Sequence, residues 1–426
     1  MTDVSKYVED ALAIRRAIHK RPEEGWTEFE TTYRVVTELE KLGYTVRCGR
    51  EVIEPSAVLG RNPDLVAKAE KRALEHGVPE AFLKRLGGYT GAVAEFDSGR
   101  PGPVTGFRFD IDCVLVTELD TPDHIPAKEG FVSEIPGLMH ACGHDAHTAS
   151  GLALAHWLKD HAAELSGRVR LIFQPAEEGT RGASAMVAAG VADGLDWFFG
   201  AHVGSPCRNG EIGIVRHGFF ATTKIDIEFE GIASHAGSDP EKGRSALMAA
   251  VACAMMLQGI TRHSAGDSRI AIGTLHAGEG RNVTPTHAKM QIEVRGENDG
   301  VNAWMVDRVD SIVRGAAEAY EVKGRWTKAG EAAVMNSDIE ADAIVETAAK
   351  SEGQKLCYFD KVGGSDDCSL LQSRAQKLGA KATFFLWGCD QKGHHRPDFD
   401  IQDTETLPRA IAVLADIVKK TNGLAL

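Results

Sequence analysis

The sequence has no long apolar run, no internal repeat and no low-complexity tract. Without an apolar segment long enough to cross a bilayer, a membrane-spanning protein is not expected. Basic residues are also in the minority, with 48 Lys and Arg against 61 Asp and Glu and a formal net charge of −13. This charge balance repels nucleic-acid phosphates and anionic lipids, so we predict neither a nucleic-acid partner nor a membrane partner.

The eight cysteines are scattered singly and lack the paired spacing of a disulfide framework. A small disulfide-stapled fold is excluded, because 426 residues can bury one or more large cores. The first residues show polar helical periodicity without the apolar core of a signal peptide. A reducing cytoplasm is therefore the expected location.

Short apolar runs alternate with helical segments in the first half of the chain and again near its end. This alternation predicts an α/β domain with a central, mostly parallel sheet. Between residues 218 and 328 the order changes to βαββαβ, the pattern of a ferredoxin-like module with a four-stranded sheet. We therefore predict a main domain made of residues 1–217 and 329–426, interrupted by an inserted domain at 218–328. Residues 62–87 are expected to add a short helical hairpin to the main domain.

The strongest local motif is residues 139–147, where three His, one Cys and one Asp lie at the start of a predicted helix. Imidazole and thiolate groups are metal ligands, and Gly143 lets the backbone fold so that Cys142 and His144 converge. The alternative is a helix N-terminus capped by Asp145, with the histidines in water. We favour metal binding, because a cytosolic Cys flanked by His is more often a ligand or a nucleophile.

Three further clusters follow predicted strands. Glu177 and Glu178 come directly after one strand, where one carboxylate can bind a metal and the other can act as general base toward water. His202 ends a second apolar run, and His394 and His395 follow a third. Each cluster alone has an ordinary interpretation as a solvated turn, a core histidine or a polar loop. Because all of them lie at strand ends of one predicted sheet, together they predict a metal centre.

The inserted domain has candidate residues of its own. His235 follows the first strand of the module, and Asn282 lies in a polar loop between two later strands. Arg295 ends the next strand, where a surface charge that closes the strand is an equally good interpretation. These three side chains have the chemistry to stabilise a carbonyl oxyanion and to hold a substrate carboxylate.

These motifs together resemble a known family, the dinuclear metallopeptidases that include carboxypeptidase G, the auxin-conjugate amidohydrolases and the hippurate-type aminoacylases. The most specific part of the resemblance is the combination of residues 142–144 (Cys-Gly-His) with 175–179 (Pro-Ala-Glu-Glu-Gly). Residues 234–236, 280–285 and 395–397 match in the same order, so the similarity extends over essentially the whole chain. The resemblance implies a metallopeptidase-type catalytic domain whose inserted domain acts as a lid and in dimerisation.

The resemblance implies two divalent ions per subunit, Mn²⁺ or Zn²⁺. The implied ligands are Cys142, His144, Glu178, His202 and His395, with His394 as an alternative to the last. Glu177 is the implied general base, and Asp112 is expected to support the ligands. His235 is implied to reach the oxyanion from the inserted domain of a partner subunit. Asn282 and Arg295 are implied substrate contacts.

The activity that the resemblance implies is hydrolysis of the amide bond of a small N-acyl amino acid. The first expected substrate is p-aminobenzoyl-glutamate, with p-aminobenzoate and glutamate as products. A general aminoacylase or auxin-conjugate hydrolase is the alternative, as is a weakly active subunit that supports a paralogous partner. The assembly is accordingly a homodimer or a hetero-oligomer. A cysteine hydrolase, with Cys142 as nucleophile and His144 as base, is disfavoured because residues two apart more easily bind one ion.

Overall fold

The computed structural model describes residues 1–360 and 364–424. The chain divides into two compact units. The first unit contains Met1–Gly218 and most of the chain from Met335 onward, and the second contains Phe219–Val334 with residues 364 and 365. Among the described helices, none is both long enough and apolar enough to cross a bilayer.

Numbered along the chain, the strands are β1 (Thr45–Cys48), β2 (Ala92–Asp97), β3 (Val104–Asp110), β4 (Arg168–Gln174), β5 (Trp197–Val203), β6 (Glu211–Val215), β7 (Ala221–Glu230), β8 (Ser268–Ala277), β9 (His287–Gly296), β10 (Lys323–Ala332), β11 (Lys355–Phe359) and β12 (Lys381–Trp387). The α-helices are α1 (Ser5–Lys20), α2 (Phe29–Lys41), α3 (Pro63–Glu75), α4 (Glu80–Leu86), α5 (Ile125–Lys128), α6 (His144–Asp160), α7 (Ala183–Ala188), α8 (Ala246–Gln258), α9 (Asp299–Ala319), α10 (Ile339–Ser351), α11 (Cys368–Lys377) and α12 (Asp403–Asn422). Helices α3 and α4 lie within residues 62–87, where the sequence predicts a short helical hairpin.

Within the described part of the first unit, eight strands form one sheet in the order β1-β2-β4-β3-β5-β12-β6-β11. The four central strands, β4, β3, β5 and β12, are parallel to their neighbours in that group. The pairs β1·β2, β2·β4 and β12·β6 are antiparallel. The predicted α/β class is confirmed, and the sheet is mixed with a parallel centre. The sequence did not predict the short strands β6 and β11.

Helix α6 lies against β3, α1 and α12. Small residues allow this close packing, and a Cβ added at Gly151 would lie 2.7 Å from the ring of Phe109. Almost the whole helix is buried, including the three ionisable residues at its start, His144, Asp145 and His147. The packing therefore holds the N-terminus of α6 firmly beside the central strands.

The second unit has the order β7, α8, β8, β9, α9, β10, which confirms the predicted βαββαβ module. Its strands, as far as the described residues extend, form an antiparallel sheet in the order β10-β7-β9-β8. Ile225, Ile227 and Phe229 alternate along β7 and join the apolar side chains of α8 and α9 in one core. The opposite face of the sheet is polar. Residue 328, the predicted end of the insertion, lies inside β10 because that strand continues to Ala332.

Candidate metal centre

Ligand-type side chains that are far apart in the sequence lie together at the carboxyl ends of the four parallel central strands. Asp110 ends β3, Glu177 and Glu178 follow β4, and His202 lies near the end of β5. His394 and the neighbouring His395 come after β12. Parallel strands end at one edge of a sheet, so side chains from distant segments converge there.

The N-terminus of α6 adds the thiol and an imidazole to this edge. Gly143 adopts a left-handed conformation with φ 86°, and a Cβ at this position would lie 2.4 Å from Cγ1 of Val203. Only glycine meets both conditions without strain. The ligand atoms of Cys142, His144 and Glu178 all lie within 4.8 Å of one another. The predicted convergence of Cys142 and His144 is therefore observed, together with a carboxylate.

Asp112 supports this cluster through hydrogen bonds to its backbone and to His144. Its two carboxylate oxygens accept hydrogen bonds from the backbone N–H groups of Glu177 (3.1 Å) and Glu178 (3.0 Å). Its backbone carbonyl lies 2.9 Å from Nδ1 of His144 and accepts the proton of that nitrogen. One residue thus orients both glutamates and leaves Nε2 of His144 as the nitrogen directed at the cluster.

His144 Nε2 is buried and has no hydrogen-bond partner among the described residues. The nearest acidic oxygens are Oδ2 of Asp110 at 3.6 Å and Oε2 of Glu177 at 3.8 Å. Burial opposes protonation of this imidazole, yet the carboxylates of Asp110 and Asp112 raise the pKa of His144 to about 10. An orphaned imidazole nitrogen among carboxylates and a thiol fits a divalent cation as its missing partner.

The local charge also favours a cation. Burial, together with repulsion from Asp366 and Glu178, raises the pKa of Glu177 well above its usual range. The guanidinium of Arg108 lies 2.6 Å from Asp110, 3.1 Å from Asp366 and 3.3 Å from Asp367. One arginine cannot balance all of these buried carboxylates, so a bound cation would lower their mutual repulsion.

The histidines differ in their surroundings. Burial and neighbouring imidazoles lower the pKa of His202 well below its usual value, which keeps the ring in the neutral form that binds metals. His202 Nε2 lies 3.5 Å from the sulfur of Cys142, and His394 Nδ1 lies 3.6 Å from the same sulfur. Burial lowers the pKa of His394 to about 4. His395, by contrast, is exposed, and its Nε2 lies 3.1 Å from Oε1 of Glu178.

Two contributors, Asp110 and His147, were not identified individually from the sequence. Together with His144 and His202 they form a second group whose ligand-type atoms lie within 4.8 Å of one another. His147 Nε2 accepts the backbone N–H of Val203 at 2.8 Å, so Nδ1 carries the proton and donates it to Asp110. Both nitrogens of His147 are therefore engaged, and His147 acts as a support.

His147 supports His202 indirectly, through the backbone of the next residue, Val203. Nδ1 of His202 donates to the carbonyl of Val203 at 2.8 Å, which directs Nε2 toward Cys142. The alternation of Arg108 and Asp110 at the end of β3, continued by Asp112 just beyond the strand, was the available signal for these buried charges. Charged residues on a fully buried strand require partners, and the partners here are the groups around the metal centre.

We expect the substitution His147→Phe to weaken metal binding by about 10- to 100-fold, because it frees the end of β5 that carries His202. His161→Phe is the matched control, since His161 lies just beyond the other end of α6 and its Nδ1 lies 3.0 Å from the carbonyl oxygen of Trp157. Competition of each protein with a chromogenic chelator for Zn²⁺ measures the affinity. Equal affinities for His147→Phe, the control and the unsubstituted protein would contradict this role.

The second unit carries the other three candidate residues. His235 is exposed, and its Nδ1 accepts the backbone N–H groups of Gly237 and Ser238 at 3.1 Å each, so Nε2 bears the proton. The carbonyl of Asn282 accepts the N–H of Ala236 at 3.3 Å, which brings the His235 and Asn282 loops together. Arg295 does not join them.

Arg295 lies near the far end of β9 and forms an ion pair with Glu293. Asn282 precedes the start of β9 at His287. From His287 to Arg295 the strand is about 27 Å long at its usual rise of about 3.4 Å per residue. Within one chain, Arg295 is thus well separated from His235 and Asn282.

A metal-dependent hydrolase requires side chains that can bind a metal ion and a carboxylate beside them. Both are present here at the strand ends of the α/β sheet. The inserted βαββαβ module further limits which metal-dependent hydrolases this chain can resemble. The chain belongs to peptidase family M20/M25/M40, whose model matches residues 106–420. The metal dependence and the hydrolase class that the motifs predicted are thereby confirmed.

The individual relatives agree with this family. A p-aminobenzoyl-glutamate hydrolase homolog of Haemophilus influenzae is 41% identical over 409 residues, which are 95% of this chain and 96% of the relative. The indole-3-acetyl-aspartic acid hydrolase of Enterobacter agglomerans is 42% identical, with 94% and 93% covered. The crystal structure of an aminobenzoyl-glutamate utilization protein from Klebsiella pneumoniae superposes with a TM-score of 0.83 at 36% identity, and the match covers 98% of this chain and 97% of that one.

Proposed function

We propose that this protein cleaves the amide bond of N-acyl amino acids whose amino acid is acidic, with p-aminobenzoyl-glutamate as the preferred substrate. The family and the relatives support an amidohydrolase acting on acyl-amino acids. The names of two relatives specify glutamate and aspartate as the amino acid. Hydrolysis of auxin-type conjugates is the alternative with the same chemistry, and a general aminoacylase is the broader one.

The observation that carries the proposal is the contrast between two adjacent carboxylates. Glu178 lies in the group with Cys142 and His144, whereas Glu177 lies in a separate buried group with Asp366 and Asp367. We assign Glu178 as a metal ligand because it groups with a thiol and an imidazole, and Glu177 as the general base because burial and neighbouring carboxylates raise its pKa. Glu177 takes a proton from the attacking water and returns it to the nitrogen of the leaving amino acid.

The proposed ligands are Cys142, His144, Glu178, His202 and His395, with His394 as the neighbour that contacts the thiol. When bound, two divalent ions supply polarisation of the amide carbonyl and lower the pKa of water from about 15.7 toward about 7. The thiolate and imidazoles suit Zn²⁺ better than Mg²⁺, and Mn²⁺ is retained because the family resemblance implies it. Cys142 is a ligand and forms no covalent bond to the acyl group.

His235 is proposed to donate its Nε2 proton to the oxyanion, with Asn282 beside it, while Arg295 holds a substrate carboxylate. Because Arg295 lies about 27 Å along β9 from the His235 loop, one small substrate cannot contact both in the same chain. A second copy or a paralogous chain is therefore proposed to supply His235, in a homodimer or in a hetero-oligomer. The eight free thiols agree with the reducing cytoplasm expected from the sequence.

A substrate panel tests the proposed activity. The purified chain, loaded with Mn²⁺ or Zn²⁺, is expected to release glutamate from p-aminobenzoyl-glutamate faster than it cleaves acyl conjugates of neutral amino acids. Rapid cleavage of another conjugate without release of glutamate would assign a general aminoacylase. Activity that appears only after a paralogous chain is added would assign the supporting role. Full activity in the presence of a strong chelator would instead support a cysteine hydrolase with Cys142 as the nucleophile.

A further inference from the structure

Cys207 and Cys357 lie close together in the first unit, although they are far apart in the sequence. Their sulfurs are 3.7 Å apart. No other two cysteine sulfurs within residues 1–360 and 364–424 are in hydrogen-bond contact. Cys207 is buried in the segment between β5 and β6, and Cys357 is half-buried in the middle of β11. Two thiols are therefore held beside each other, and neither belongs to the proposed metal ligands.

The local packing makes room for this contact. Strand β11 pairs with β6 in parallel register, and the Cα partner of Cys357 is Gly213. A Cβ added at Gly213 would lie 2.5 Å from the sulfur of Cys207. Gly213 does not have a positive φ, so the packing and not the backbone conformation requires glycine at this position. The sulfur of Cys207 thus occupies the space that the missing side chain leaves beside Cys357.

The hydrogen bonds around the two sulfurs give them different roles. The thiol of Cys357 faces two acceptors, the carbonyl of Ile212 at 3.7 Å and Oε2 of Glu211 at 3.8 Å. The thiol of Cys207 can then donate to the sulfur of Cys357. Burial raises the pKa of both thiols, and the hydrogen bond between them opposes this effect in Cys357 but adds to it in Cys207. Because the thiolate is the reactive form and Cys357 is also the more exposed of the two, Cys357 should react first.

We propose that Cys207 and Cys357 form an oxidation site for hydroperoxides, at which the two thiols are joined in a reversible disulfide. A disulfide bond is about 2.05 Å long, so the sulfurs, now 3.7 Å apart, must approach each other by about 1.7 Å. The half-buried position of Cys357 gives a small oxidant access to its sulfur. The site does not depend on the proposed amidohydrolase activity.

The oxidation proceeds in two steps that together consume one hydroperoxide. The Cys357 thiolate attacks one oxygen of the O–O bond, which breaks as an S–O bond forms, and the thiol proton ends on the departing oxygen as alcohol or water. The sulfur of Cys207 then attacks the sulfur of this sulfenic acid. An S–S bond forms, the S–O bond breaks, and the hydroxyl leaves with the Cys207 proton as water. The two sulfurs lose two electrons and the peroxide gains them, and a small dithiol reverses the change by thiol–disulfide exchange.

The disulfide acts on the edge of the sheet. Strand β11 is last in the strand order and, among the described strands, pairs with β6 alone. The two cysteines are 150 positions apart, and residues Phe219–Val334 of the second unit lie between them in the sequence. Oxidation therefore fixes an edge strand that is otherwise held on one side only, and it closes a covalent loop that contains Phe219–Val334.

Peptide mapping of the metal-loaded protein after treatment with one equivalent of hydrogen peroxide tests the site. Thiol titration of the denatured product should show the loss of two of the eight free thiols. Digestion without a reductant should give one cross-linked pair of peptides, which contain Cys207 and Cys357. Treatment with dithiothreitol should return both thiols. A peroxide-treated protein in which other cysteines are oxidised while these two stay free would overturn the proposal.

Serine variants separate the two steps. Cys207→Ser should stop at a sulfenic acid on Cys357, which dimedone labels, whereas Cys357→Ser should leave Cys207 reduced. Cys389→Ser is the matched control, because Cys389 is buried and also lies near Cys207. The control should form the same cross-link as the unsubstituted protein. A cross-link from Cys207 to Cys389 would overturn the proposal, and the map of the unsubstituted protein decides this even if a serine variant does not fold.

Discussion

Replacing Glu177 with Gln is expected to lower kcat by about 100- to 10,000-fold while leaving the metal content unchanged. The amide has nearly the shape of the carboxylate, but it cannot accept a proton from water. The backbone N–H of Glu177, which Asp112 binds at 3.1 Å, is unaffected by the substitution. Steady-state kinetics on p-aminobenzoyl-glutamate and metal analysis of the same preparation measure the two quantities.

The neighbouring substitution Glu178→Gln is the matched comparison. Glu178 belongs to the group with Cys142 and His144, so its amide should reduce the metal content as well as the rate. Added metal should recover part of the activity of Glu178→Gln and none of the activity lost in Glu177→Gln. If Glu177→Gln instead loses metal, or retains near-normal kcat, the assignment of the base is wrong.

The second large effect is expected for Cys142→Ser. Cys142 lies between His202 and His394, at 3.5 and 3.6 Å from their ring nitrogens. A serine hydroxyl is a much weaker ligand than a thiolate for the proposed ions. Removal of a residue that only supports a ligand typically weakens metal binding by about 10- to 100-fold. The loss of metal affinity in Cys142→Ser should therefore be larger. Metal analysis after dialysis, together with kcat/KM at saturating metal, reports this loss.

Cys253→Ser controls for the general cost of placing a hydroxyl at a buried cysteine. Cys253 is fully buried in α8 within the apolar core of the second unit. The control should lose thermal stability and keep its metal. Mass spectrometry of the unsubstituted protein during turnover should detect no acyl group on Cys142. A covalent acyl intermediate, or full metal and full rate in Cys142→Ser, would show that the cysteine is not a ligand.

The parts of the centre that the sequence predicted are those encoded in short, contiguous motifs. Cys142 and His144 are two residues apart, and Glu177 and Glu178 are adjacent, so their chemistry is visible without a fold. The strand ends then brought these motifs together, as the rule for parallel sheets predicts. The βαββαβ order of the inserted unit was readable because its strands are long and its helices regular.

The roles of Asp110 and His147 could not be predicted because they depend on contacts between separate segments. His147 binds the backbone of Val203 on β5 and the carboxylate that ends β3. Nothing in the local sequence separates such a supporting histidine from a ligand. The choice between His394 and His395 has the same origin, since adjacent imidazoles point in different directions only once the loop is folded.

Strands β6 and β11 were missed for a different reason. Each has five residues, and β11 lies at the edge of the sheet with several exposed positions. Short strands of this kind carry too few alternating residues to stand out from loops. Their omission hid the antiparallel pair β12·β6, whereas the antiparallel pairs β1·β2 and β2·β4 involve strands whose direction the sequence does not reveal.

Gly143 has a consequence for engineering the protein. Its missing side chain lets the turn before α6 touch Val203, so the segments that carry His144 and His202 meet with no spare room between them. These two segments therefore cannot move closer together to fit a smaller ion. A preference for a smaller ion will require exchanging donor atoms, while libraries that vary loop length around Gly143 should yield mainly misfolded chains.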